Sequence, residues 1–67
     1  MREYRLLDVV RLKRNVPEHG LRAGSIGTVV EVYGQDAYEV EFANERGETL
    51  ALLVLNGKSD FERHEAT

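Results

Sequence analysis

Tyr38-Glu39-Val40-Glu41-Phe42 alternates apolar and acidic residues without a break. A period of two is the mark of a strand with one buried face and one wet face; a helix cannot segregate these residues. The rest of the chain has to be arranged around that strand. On either side lie segments rich in β-formers, Ser25 to Tyr33 before it and Thr49 to Leu55 after it.

The turns set an expected register. Gly34-Gln35-Asp36 reads as a three-residue loop, which places Tyr33 opposite Ala37. Val32 then pairs with Tyr38, Val30 with Val40 and Thr28 with Phe42. Gly47 stands where a type I turn needs a left-handed residue before a bulge, so Glu45-Arg46-Gly47 is the second loop and Asn44 pairs with Glu48. Continued inward, that register sets Phe42 against Leu50, Val40 against Leu52 and Tyr38 against Val54. The expected core is Thr28, Val30, Val32, Tyr38, Val40, Phe42, Leu50, Leu52 and Val54, joined by Val10 and Leu12. A tighter turn at Glu45-Arg46 would slip this strand by one and bury Thr49, Ala51 and Leu53 instead. The glycine bulge is preferred because it buries more carbon.

Two further strands are read, Leu7 to Lys13 at the start and Phe61 to His64 at the end. Arg14 to Gly24, with Pro17 and Gly20, is a long loop in which proline and glycine oppose a helix. Gly27 is read as a close approach between strands, and Ser25 as a turn residue. The expectation is an all-β, five-stranded small barrel forming one domain over residues 1–67, with a long loop between strands 1 and 2. A chain of this length buries only about 60% of the surface it exposes when unfolded. Such a core rarely supplies more than roughly 3–5 kcal/mol. There is no cysteine, hence no disulfide or thiolate metal site. The longest apolar run, Leu50 to Leu55, is six residues. A membrane span needs about 20. No signal peptide is read at Met1-Arg2-Glu3-Tyr4-Arg5, so a soluble, cytoplasmic protein is expected.

No catalytic constellation is legible, and the chain is read as a non-enzyme without a cofactor. His19 and His64 stand apart, and Gly24-Ser25-Ile26-Gly27 lacks the spacing of a nucleophile elbow. What the register does produce is an outer face. Val29, Glu31, Tyr33, Glu39, Glu41 and Leu53 share it, with Glu31 opposite Glu39 and Ala51 nearby. Three readings stand. The glutamates are solvated and offset by Arg11 or Arg63; or the face docks a basic protein; or it holds a divalent cation, for which no Asp-rich loop completes a cage. The docking reading carries the functional expectation of a protein-binding module. Val9, Leu53 and Leu55 are apolar positions this register leaves outside, and they predict weak self-association. Twelve acidic against nine basic residues give a net charge of −3, which disfavours nucleic acid as a partner.

Leu7-Asp8-Val9-Val10, Pro17-Glu18-His19-Gly20-Leu21, Ala23-Gly24, Gly27 to Tyr33, Tyr38 to Phe42 and Gly47 to Leu52 carry a resemblance across most of the chain. In order and spacing they resemble a bacterial family catalogued as domain of unknown function 4926. The tail after Gly57 departs from the leucine-rich, proline-containing strand common there. The resemblance implies an SH3-like barrel and, by analogy, an antitoxin- or immunity-like partner of a neighbouring toxin-like protein. Gly24-Ser25-Ile26-Gly27-Thr28-Val29 after Asp8-Val9-Val10 is also similar to KOW modules. That likeness implies an alternative RNA-binding edge at Arg11, Lys13, Arg14 and Arg22.

Overall fold

The computed structural model describes residues 3–65; the ends of the predicted domain, 1–2 and 66–67, lie outside the described residues. Five strands form in the predicted places: β1 Val9–Leu12, β2 Ile26–Gly34, β3 Ala37–Ala43, β4 Thr49–Asn56 and β5 Phe61–Arg63. They make one antiparallel sheet in the order β4-β3-β2-β1-β5. The sheet curls round its own apolar face. The turn from Asn56 to Phe61 links its two edge strands, yet no β4–β5 ladder forms among the described residues, so the sheet is open and not a closed barrel. The long loop carries a single 3-10 turn, Pro17–His19, and no α-helix. Val16 and Leu21 pair across that loop and both are buried, pinning it to the core.

The middle strand behaves as its alternation demands. Tyr38, Val40 and Phe42 are buried, and Glu39 and Glu41 turn outward. Val10 and Leu12 join the core, and Val32 packs against it half-buried. The neighbouring strands correct the expected register, each through a bulge. In β2, Val32 opposes Tyr38 and Glu31 opposes Glu39 as expected, but Val30 is an extra residue, so Val29 and not Val30 faces Val40. Thr28 then faces Glu41 on the outside. The β2–β3 loop is also tighter than expected. Gln35 and Asp36 alone form it, both at positive φ, as a type I′ hairpin turn requires, and Tyr33 is the residue left over.

In the second hairpin the loop forms as read. Gly47 has φ +83°, and the Asn44 N–H donates to the Glu48 carbonyl. A bulge at Leu50 then slips the rest of β4 by one, so that Phe42 faces Ala51, Val40 faces Leu53 and Tyr38 faces Leu55. Leu50, Leu52 and Val54 therefore lie outside, and Ala51, Leu53 and Leu55 inside. The interior explains the exchange. Small Ala51 lies opposite the enclosed Phe42 ring, and a curled sheet this small has no room for a leucine there.

The open end of the curl is closed by aromatics. The rings of Tyr4, Tyr38 and Phe61 meet with centroids 4.8–5.8 Å apart, two of the three contacts edge-on. Such pairs add roughly 0.5–1.5 kcal/mol each beyond their burial. The Arg63 guanidinium lies over the Tyr4 ring at 5.1 Å, and the Tyr4 N–H donates to the Tyr38 hydroxyl.

Candidate functional site

The outward face is built in rows. Val9, Thr28, Glu41 and Leu52 run across four strands in one row, and Glu31, Glu39 and Val54 in the next. Two side chains steady the carboxylates. The Tyr33 hydroxyl donates to Glu39 Oε1 at 2.5 Å, and the Thr49 hydroxyl donates to Glu41 Oε2. The bond to Glu39 holds the Tyr33 phenol above its ordinary pKa.

Of the residues expected on this face, Glu31, Tyr33, Glu39 and Glu41 are brought together there. Val29 and Leu53 are not. Val29 is fully buried against Val40, and Leu53 packs half-buried on the core, because the bulges at Val30 and Leu50 invert their faces. Their places are taken by Leu50, Leu52 and Val54, 57%, 53% and 60% exposed, which the expected register had put inside. Of the expected self-association patch, Val9 is exposed, but Leu55 is buried and Leu53 half-buried.

The cations expected to offset the glutamates are engaged elsewhere. Arg11 pairs with Glu62, Arg63 with Asp8, Arg14 with Asp60 and Lys58 with Asp36. Among the described residues, no lysine or arginine lies in ion-pair range of Glu31, Glu39 or Glu41. Nor does any group of three acids or histidines converge as metal ligands would. Like charges directly opposite on a sheet repel, so Glu31 and Glu39 cost the fold some stability.

The basic edge does not assemble as a phosphate-binding strip. Arg11 and Arg14 are neutralised in their ion pairs, and Lys13 Nζ donates to the Lys58 carbonyl at 2.6 Å. Arg22 lines a shallow groove with Asn15, Pro17, Gly20 and Leu21 at the long loop. Four of the five aromatic side chains are in the core, and Tyr33 alone is exposed, so no stacking platform accompanies these cations.

Two acidic groups hold the sheet's ends. Burial pushes the Asp60 carboxyl up, but hydrogen bonds from the Asn56 N–H, Arg14 and Ser59 outweigh it, and its pKa lies below the ordinary value. Asp8 is held low by the Arg5 N–H above all, with Arg63 adding to it.

Fold and face together define a small all-β protein, a curled antiparallel sheet with an uncompensated acidic exterior. The chain belongs to the family described as domain of unknown function (DUF4926), whose model matches residues 6–61. No curated protein and no solved structure matches it. Among the described residues, no helix is long and apolar enough to cross a membrane.

Proposed function

We propose that this chain is a non-catalytic, cytoplasmic protein-binding module whose outward face receives a cationic surface of another protein. The observation behind the reading is the contrast in charge pairing. Asp8, Asp36, Asp60 and Glu62 each have a basic partner; of the acids without one among the described residues, Glu31, Glu39 and Glu41 are the ones gathered on the outward face of the sheet. A face that keeps mutually repelling charges beside exposed Leu52 and Val54 is suited to a partner that supplies both cations and apolar contact. An antitoxin- or immunity-like role toward a small basic protein fits that chemistry, as does a sheet of SH3-like type that binds through its exterior.

The test is affinity capture of the tagged chain from its native cell, beside the double variant Glu39→Lys/Glu41→Lys. A basic protein should be retained by the parent and lost by the variant, with both giving the same far-ultraviolet dichroism. Capture unaffected by the reversal removes the face from the function.

A further inference from the structure

The two sides of β4 differ. One side is paired to β3 along its whole length. The other meets no strand among the described residues, because β4 ends the sheet. The direction of its backbone groups follows from the strand's end. The Asn56 N–H is taken by Asp60 Oδ2 at 2.8 Å, and the Asn56 carbonyl accepts the Asp60 N–H at 3.0 Å, while the Gly57 N–H points back to the Asp36 carbonyl. Backbone groups alternate along a strand. Val54 and Leu52 therefore turn their N–H and C=O outward, as Asn56 does, and have no neighbouring strand.

Natural edge strands are guarded by charges, prolines or bulges. Here the bulge at Leu50 guards one end and Asp60 caps the other. Between them Ala51-Leu52-Leu53-Val54-Leu55 carries no charge and no proline.

We infer that this edge is occupied by a second copy of the chain, β4 against β4 in antiparallel register about a two-fold axis at Leu53. The register is self-complementary. It pairs Leu52 with the copy's Val54, both outward-facing, and sets half-buried Leu53 against itself on the inner side. The free groups of Leu52 and Val54 then form four backbone hydrogen bonds, two from each copy.

Charge selects the same arrangement. Stacking two faces would set Glu31, Glu39 and Glu41 against their own images. Edge pairing instead puts one β3 three strand spacings from the other, about 14 Å, beyond the ~8 Å screening length of physiological salt. A neutral strand also suits a neutral strand; a cationic segment is drawn to the glutamates on the face. A contact made through one strand edge, with Leu52 and Val54 as its outward apolar groups, is small beside the ~1,200 Å² typical of stable interfaces, so the dimer expected is a weak one that builds with concentration. Its product is a continuous ten-stranded sheet in which an apolar ridge, Leu52 and Val54 from each copy, runs between two acidic stripes.

Sedimentation equilibrium of the full chain from about 10 μM to 1 mM tests this. A dimer should grow over that range and hold or tighten as salt is raised, because the two copies carry the same net charge. Loss of the dimer on adding salt would overturn the inference. Leu52→Lys/Val54→Lys places lysines opposite Glu41 and Glu39 within each copy but sets them against each other across the axis. It should weaken dimerisation at least about tenfold without loss of fold. Val54→Pro, which removes an outward N–H and no ladder bond, should do the same. Should either variant fail to fold, amide exchange of the parent decides, with Leu52 and Val54 becoming protected as concentration rises. A strict monomer at 1 mM, or a dimer indifferent to both folded variants, would overturn the inference. The reversal Glu39→Lys/Glu41→Lys should leave the dimer in place, so the face and the edge can fail independently.

Discussion

At the scale of single residues, Gly27 is held to glycine by its neighbours. A Cβ placed there would lie 2.6 Å from Val40 Cγ1 and 2.8 Å from Phe42 Cε1, side chains that are themselves enclosed, and 3.0 Å from the Glu41 carbonyl oxygen. Nothing in that triangle is a flexible tip that can swing away. Gly27→Ala should therefore cost roughly 1–3 kcal/mol, as overpacking of a dense core does, and lower the urea midpoint accordingly. Asp8 and Asp60 make a second residue-scale case. Both carboxyls have folded-state pKa values below their unfolded ones. Their contribution is complete above about pH 4, near the unfolded value, and drains away as pH falls toward their lower folded values. The denaturation midpoint should drop as pH falls below about 4, and Asp8→Asn/Asp60→Asn should flatten that slope while lowering stability at neutral pH.

Among the elements, the sheet's middle rows expose a trade between stability and binding. Glu31→Gln removes one of two opposed charges and keeps the side chain's shape. It should raise stability by about 0.2–1 kcal/mol in thermal unfolding while weakening capture of a basic partner. The segment before β1 is the opposite case: Tyr4 lies outside every strand yet is enclosed between Tyr38 and Phe61. Tyr4→Ala should cost about 3–5 kcal/mol, close to the whole stability expected of so small a core, and leave much of the chain unfolded at room temperature. The sequence made some of this legible and hid the rest for a physical reason. Tyr38 to Phe42 alternates, so its facing was fixed, and Gly47 announced its turn. Val29-Val30 and Leu50 to Leu55 are apolar on both faces, so nothing local forbids a one-residue slip. The bulges fell there, and they decided which leucines met water. Tyr4, Val16 and Leu21 were missed because they lie in segments without periodicity, where only tertiary packing marks a core residue.

For the molecule as a whole, electrostatics divides the surface. The acidic face lacks counter-ions among the described residues, whereas the basic side chains around β1 are largely spent on ion pairs. Titration with single-stranded RNA at two salt concentrations should show no salt-dependent affinity; a steep dependence would return Arg22 and its neighbours to consideration.

The antiparallel pairing of β5 with β1 brings the two described ends together: the His64 N–H donates to the Val9 carbonyl, and Arg63 reaches the Glu3 carbonyl at 2.8 Å. Topologically the domain is nearly a ring. A short linker across that gap, with new termini opened in the exposed Glu45-Arg46 loop, should yield a circular permutant that keeps the same sheet.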